Sequence, residues 1–321
     1  MILSVVIPTM NKCELLAQTL AALAGQDLGV AGTWEIVVVN DGSSDGTAAY
    51  LNSEIRNPDS RLVVVDPGQN VGRAKARNLG ARQARGQFIL FLDDDIVAPS
   101  GLLSAHLQIL MATENCGTIG YAVTAGELID APHFYYMDSR GTARLHSGSA
   151  PARFFVTQNA AVPREAFLAI GGFDEDFSAY GFEDMEVAFR LEDETGLQFR
   201  ALPNPVPVHV HHHTVGEYLA KKVECGRHSL PHLARLHPHR IAEMKLHHVV
   251  DTDGQSRPGL LTRMIRGFAG CGLGSQLPRL MAAWPTSGRS RPRFEGLYFN
   301  LMNLTVLCAY RIGMTESSAK D

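Results

Sequence analysis

The chain has 321 residues, of which 45% are hydrophobic and 19% charged, the make-up of a soluble globular protein with one large α/β domain or two average ones. A formal net charge of -4 speaks against a nucleic-acid binder. The five cysteines (13, 116, 225, 271 and 308) are scattered without a C-x-x-C pair, which suits free thiols in a reducing cytosol better than a disulfide framework.

The chain opens "MILSVVIPTMNK". It has no basic leader region and its apolar run stops at Pro8, so no signal peptide is expected. No run of 18 or more apolar residues occurs, so no transmembrane helix is expected either.

The first hundred residues alternate regularly. "LSVVIP" is a short β-branched run, and "ELLAQTLAALAG" has helical spacing. "WEIVVVN" is a second strand and "DGTAAYLNSE" a helix. "RLVVVD" is a third strand, "RAKARNLGARQARG" a helix and "QFILFLD" the fourth strand. Continuous apolar runs separated by helices predict a parallel sheet covered on both faces, a doubly wound α/β half.

Ligands of such sheets bind at the carboxyl ends of the strands. There the sequence sets Pro8 to Asn11, then Asn40 and Asp41, then Asp66, then Asp93, Asp94 and Asp95. Any one of these acids alone reads equally as a turn or cap residue. Alternation along a strand puts Asp93 and Asp95 on one face and Asp94 on the other. Two hard oxygen ligands beside a ligand crevice suit Mg²⁺ or Mn²⁺, and a cation would relieve the repulsion of the packed carboxylates.

Residues 99–215 are less regular. "YGFEDMEVAFRLEDETG" predicts a helix starting near Glu183, with Asp184, Val187, Ala188 and Leu191 on one stripe. Asp184 then points inward, which costs stability unless it is paired or working, while Glu183, Glu186, Arg190 and Asp193 lie elsewhere. Gly171 and Gly172 in "GGFDEDF" permit close backbone approach to a ligand and equally a plain turn. An extended "VPVHVHHHT" puts His209, His211 and His213 on one face. Residues 216–250 read as helical. From Gly254 to Phe294 there are seven arginines and no acid. "LLTRMIRGFAG" fits a helix lying on an anionic membrane surface and equally a helix packed on the rest of the chain with its arginines solvated.

Five segments occur in order: "SVVIPTMNK", "EIVVVNDGSSDGT", "NVGRAKARNLGARQARGQFILFLDDDIV", "NAAVPREAFLAIGGFDEDF" and "GFEDMEVAFRL". Together they resemble the family 2 glycosyltransferases over roughly residues 1–240. The resemblance implies a GT-A fold: a Rossmann-like, mostly parallel α/β sheet flanked by helices, here with a helical C-terminal extension. It divides the chain into a nucleotide-sugar-binding half (1–98), an acceptor-binding half of the same domain (99–215) and a helical C-terminal region (216–321).

The resemblance also implies roles. Asp41 accepts a hydrogen bond from the nucleotide base, with Pro8, Thr9, Asn11 and Asn40 lining the same crevice. Asp93 and Asp95 form the D-x-D element for a divalent metal, Mn²⁺ or Mg²⁺, and the diphosphate. Asp94 contacts the ribose or sugar. Asn70 and Arg77 match family positions, and Arg77 either faces the donor or braces the acidic edge. Lys75, Arg73, Arg82 and Arg85 read as a solvated helix face. Asp184 is the general base of an inverting transfer, Glu183 binds an acceptor hydroxyl, and Asp174 touches acceptor or sugar. His211, then His209, is the expected third metal ligand. The expected donor is a nucleotide-sugar, with UDP favoured. The acceptor is a saccharide, a lipid-linked or another hydroxyl compound. The expected setting is the cytoplasm, at the inner face of the cell membrane if the Arg-rich segment binds lipid. Rival readings are a sugar nucleotidyltransferase, which lacks support because "PTMNKCE" is no Gly-rich basic loop, and a non-catalytic nucleotide-sugar-binding protein.

Overall fold

The computed structural model describes residues 1–29, 32–57, 61–125, 131–210, 213–250, 259–270, 276–287 and 291–318. The first strands and helices follow the predicted order: β1 (Leu3–Thr9), α1 (Cys13–Ala24), β2 (Trp34–Asn40), α2 (Thr47–Ile55), β3 (Leu62–Val65), α3 (Arg73–Gln83) and β4 (Phe88–Leu92). Every residue of β2 and β4 is buried, as continuous apolar runs require of strands covered on both faces.

After β4 come β5 (Ile96–Val97), α4 (Leu102–Ala112), β6 (Cys116–Ile119), β7 (Val123–Thr124), α5 (Pro132–Asp138) and β8 (Gly148–Ala150). Then follow β9 (Asn159–Pro163), α6 (Arg164–Ala169), α7 (Glu183–Thr195), β10 (Gln198–Ala201) and β11 (Val208–His209). The C-terminal helices are α8 (Val215–Arg227), α9 (Ser229–Leu236), α10 (Pro238–Glu243), α11 (Leu260–Gly270), α12 (Leu277–Ala282) and α13 (Glu295–Ser318).

The main sheet has the order β3-β2-β1-β4-β9-β6-β10-β8. β3, β2, β1 and β4 run parallel. β9 is reversed between β4 and β6, and β8 is reversed on β10. The carboxyl ends of β1, β2 and β4 thus share an edge with the start of β9. A small second sheet, β5-β11-β7, sits just beyond β4 in sequence and pairs His209 with Ile96.

One core layer joins Leu3, Val5 and Ile7 of β1 to α1 and α4. On α3, Gly80 lies so close to β1 that a Cβ would fall 2.5 Å from a Val6 methyl. Phe91, Phe167 and Phe173 stack with centroids 5.2 to 5.3 Å apart, edge-on or tilted as the ring quadrupole favours.

Contacts divide the chain into two units. The first comprises Met1–Ala125, Arg140–Asp176 and Glu183–His211 and holds both of these sheets. The second comprises Gly126–Ser139, Phe177–Phe182 and His212–Asp321. α5 and residues 177–182, which lie within the 99–215 stretch, therefore group with the C-terminal helices. The second unit has its own core of Tyr136, Val215, Leu219, Met281, Tyr298 and Met302. Gly226 and Gly313 let α8 and α13 approach to a distance that no side chain could fill.

Candidate active site

The edge formed by β1, β2 and β4 is built by loops that bind one another. Asn11, at a φ of 55°, accepts from Ser44 N–H at 2.7 Å and donates its own N–H to Ser43 at 3.0 Å. Asp45 accepts from Thr47 N–H at 2.9 Å, which starts α2 as an acid beside free helix amides should. Asn40 donates to Asp66 at 3.0 Å. Pro8 and the buried Thr9 close β1.

Asp41 is buried and accepts from Val71 N–H at 2.6 Å. It ties the loop after β2 to the loop before α3. Asn70 approaches the Met10 sulfur at 2.7 Å.

The aspartate triplet lies past the end of its strand. β4 ends at Leu92, so Asp93, Asp94 and Asp95 lie in a turn where period two does not hold. Asp94 and Asp95 share Lys12, and Asp93 and Asp95 both act on the charge of His209. Lys12 Nζ stands 2.9 Å from Asp94 Oδ1 and 2.7 Å from Asp95 Oδ2. Asp95 Oδ1 lies 3.1 Å from His209 Nε2, because β11 pairs with β5 one residue past the triplet. Val210 N–H also donates to the Asp95 carbonyl at 3.0 Å. Asp93 turns instead to Arg77, 3.1 Å away.

Burial would raise the Asp95 pKa, yet His209 and Lys12 outweigh it and hold the carboxyl well below the usual range. Burial pushes Asp94 up despite Lys12. Burial would lower the His209 pKa, but Asp95 raises it above the ordinary imidazole value.

The acids of α7 face the same group of residues. Arg77, buried on α3, reaches Asp93 with one nitrogen and Glu183 with another, at 3.5 Å. Burial opposes its charge, and Asp184, Asp93 and Glu183 together more than compensate. Glu183, expected elsewhere on the helix, is buried. Burial first and the Asp184 charge second push its pKa up to about 7. Glu186 is buried as well and forms a two-point pair with Arg190, both contacts at 2.6 Å. Asp184 is only half-buried, so it is the acid of this pair that a second molecule can reach. Thr157 holds it, with the hydroxyl donating at 3.0 Å and the N–H at 3.3 Å. Burial pushes the Asp184 pKa up, against the pull of Arg77.

Around this centre, the glycine turn of "GGFDEDF" is structural. Asn78 on α3 clasps Phe173 from both sides, accepting at 2.8 Å and donating at 2.9 Å. A Cβ on Gly172, whose φ is 78°, would meet the Asn78 oxygen at 2.4 Å. Arg190 donates to the carbonyls of Ile170 and Gly172. Asp174 accepts from Asp176 N–H within the turn. Arg85 is exposed, as expected, and also grips the buried Glu35 at 2.6 Å, while Lys75 and Arg82 are loosely held and exposed. His213 contacts Lys221 at 2.6 Å, and His211 lies outside the described residues.

Lys12 and Thr157 went unnoticed as site residues in the sequence. Lys12 had a signal, a lone cation in the loop after β1. Thr157 had none, because it precedes a strand whose reversed direction no local pattern announces.

Chemically, the five carboxylates Asp93, Asp94, Asp95, Glu183 and Asp184 gather around two permanent cations, Lys12 and Arg77, and one imidazole. The excess of negative charge, the oxygen donors and the imidazole Nε2 fit a hard or borderline divalent cation.

The Glycosyl transferase family 2 model matches residues 4–171. A second model, the N-terminal domain of galactosyltransferase, matches residues 146–213. A validoxylamine A glucosyltransferase of Streptomyces hygroscopicus subsp. jinggangensis is 33% identical over 223 residues, covering 59% of this chain and 51% of the relative. This chain thus spans about half the length of that relative. Among solved structures, the mannosyltransferase PcManGT of Pyrobaculum calidifontis, in complex with GDP-Man and Mn²⁺, superposes with a TM-score of 0.61 at 19% identity, over 97% of this chain and 86% of that one. S. aureus TarS 1-349 in complex with UDP-GlcNAc gives 0.54 at 14% identity, over 100% of this chain and 93% of that one. A family model covering more than half of the residues, on a mostly parallel sheet of the GT-A kind, makes this chain a member of the family 2 glycosyltransferases.

Proposed function

We propose that the protein transfers a sugar from a nucleotide-diphosphate sugar, with UDP favoured, to a hydroxyl acceptor with inversion at the anomeric carbon. The observation that carries this reading is the meeting of Asp93 with Glu183 and Asp184 around the single Arg77 guanidinium. It joins acids at the end of a parallel strand, where nucleotides bind, to a partly buried acid suited to proton transfer.

In this reading Asp184 takes the proton of the acceptor hydroxyl. The freed oxygen attacks the anomeric carbon as the bond to the diphosphate breaks on the opposite side. Thr157 fixes the Asp184 carboxylate in position, and Glu183 orients the acceptor. Asp41 takes the hydrogen bond of the base. Asp95 and His209, with Asp93, would hold Mn²⁺ or Mg²⁺, which when bound neutralises charge on the leaving diphosphate. PcManGT with GDP-Man and Mn²⁺, and TarS with UDP-GlcNAc, support a nucleotide-sugar donor and a metal by likeness of fold.

For the acceptor we infer a saccharide, a lipid-linked or another hydroxyl compound, and for the setting the cytoplasm, with α11 against an anionic membrane. Among the described residues no helix is long and apolar enough to cross a membrane. α11 supports surface binding: Leu260, Leu261 and Met264 are exposed beside Arg263 and Arg266, while Ile265 faces inward.

Calorimetric titration with UDP, GDP, TDP and CDP, with and without Mn²⁺, tests the donor site. One nucleotide is expected to bind in a metal-dependent way, and Asp95→Ala to lose it. A folded protein that binds none of the four would overturn the reading.

A further inference from the structure

The last two aspartates of the triplet already share one cation from within the chain. Lys12 leaves the loop between β1 and α1 and sets its ammonium 2.9 Å from Asp94 and 2.7 Å from Asp95. The aspartate side chains are only 7% and 4% exposed, so this is a nearly dry ion triad and not a surface pair. Of the two Asp95 oxygens, one is hydrogen-bonded to Lys12, and the other faces His209 at 3.1 Å without completing a hydrogen bond. A metal shared by Asp95 and His209 would therefore arrive next to the Lys12 ammonium.

What can yield is limited. The backbone of the triplet is pinned: Thr19 donates its hydroxyl to the Asp94 carbonyl at 3.0 Å, and Val210 N–H donates to the Asp95 carbonyl at 3.0 Å. Lys12 is different. Its ammonium is a compact point charge on a flexible four-carbon stem, and its side chain is 31% exposed, so a path to solvent lies open. A divalent ion beside Asp95 would bring two positive charges next to the ammonium in a poorly screened site.

We propose that Lys12 is a resident counter-cation whose charge opposes a divalent metal at Asp95, so that the metal binds weakly until a nucleoside diphosphate offers the ammonium a new partner. The inference rests on the metal reading of the proposed function. It makes metal and donor arrive together, and it keeps Asp94 and Asp95 paired between turnovers.

Electron paramagnetic resonance of free Mn²⁺, titrated with protein alone and then with UDP present, tests this. Lys12→Met is expected to bind Mn²⁺ alone at least about tenfold more tightly than wild type, the scale of removing one like charge at contact distance. UDP should then improve Mn²⁺ binding less in Lys12→Met than in wild type, Lys12→Arg should keep wild-type affinity, and Asp95→Asn should abolish the site in each background. Lys12→Gln replaces Lys12→Met if the latter does not fold. Equal or weaker Mn²⁺ affinity in the uncharged variants, at a site that Asp95→Asn removes, overturns the role of Lys12 and leaves the metal reading standing. Failure to find any Mn²⁺ site sensitive to Asp95→Asn, in wild type or variant, overturns the metal reading and the role of Lys12 with it.

Discussion

Arg77 and Glu183 meet at 3.5 Å with side chains that are only 6% and 5% exposed. One comes from the inner face of α3 and the other opens α7. The same guanidinium reaches Asp93, so one cation serves acids from two elements. Removing it leaves buried carboxylates without a counter-charge. Arg77→Met is expected to cost about 3 kcal/mol of stability in urea unfolding. Arg77→Lys should recover only part of it, since an ammonium cannot span both partners as a planar fork does. A loss below about 1 kcal/mol, the scale of an exposed pair, would contradict this account.

Substitutions at Asp184 and Thr157 test the proposed proton transfer separately from binding. Asp184→Asn is expected to lower kcat by about 10²- to 10⁴-fold, the usual weight of a general base, with nucleotide affinity unchanged. Thr157→Val removes a hydrogen bond to the ionised carboxylate, which raises its pKa. The acid limb of the pH–rate profile should then move to higher pH. A Thr157→Val enzyme whose limb stays in place, whatever its overall rate, would show that Thr157 does not act through Asp184.

Two buried groups give stability opposite slopes with pH. His106 on α4 is held by Thr118 at 2.7 Å and Asn159 at 2.8 Å, and burial lowers its pKa from 6.5 to about 4. The unfolded chain takes up this proton more readily, so the contribution is complete above pH 6.5 and disappears as pH falls through about 4. Its full size is on the order of 3 kcal/mol. Glu183 is shifted the other way, from 4.5 up to about 7 by burial and by Asp184. Its contribution is complete below pH 4.5 and is lost as pH rises through about 7. Glu183→Gln cancels the second slope. The Tm of this variant should therefore climb more steeply than wild type between pH 4.5 and 6.5. Parallel Tm curves for the two proteins would refute the assignment.

The outer face of α11 makes a prediction about lipid. Leu260 is 71% exposed, and no acid lies between Gly254 and Phe294 to repel an anionic surface. The protein is expected to sediment with phosphatidylglycerol vesicles, less so as salt rises, and not with phosphatidylcholine alone. Leu260→Glu with Met264→Glu should abolish sedimentation. Equal recovery on both vesicle types, or none on either, would count against a membrane role.

The parallel half of the sheet was legible because burial on both faces writes itself as unbroken apolar runs, and β1 to β4 fall where those runs lie. The edge acids were legible for the same reason: polar residues that end such strands stand out. The placement of the triplet was not, because period two stops where the strand stops, one residue before Asp93. Lys12 and Thr157 escaped for a second reason. Each acts on a carboxylate far away in sequence, and only the tertiary fold supplies the distance. Glu183 and Glu186 were set off the inward stripe because helical periodicity assigns faces without knowing which basic residue waits beneath. Arg77 and Arg190 supply the charges that let them be buried.

The reversed strand β9 carries one more consequence. Asn159 pairs with Leu92, the last residue of β4, so β9 begins where β4 ends. It therefore delivers to the chemistry the residues that precede a strand, whereas its neighbours deliver those that follow one. Asn159 holds His106, and Thr157, two residues earlier, holds Asp184. A slip of one residue in the pairing of β9 would break both holds together and turn its apolar side chains to the wrong face. Core packing and the proposed proton transfer are thus measured by a single ruler, and the spacing between Thr157 and Asn159 is its scale.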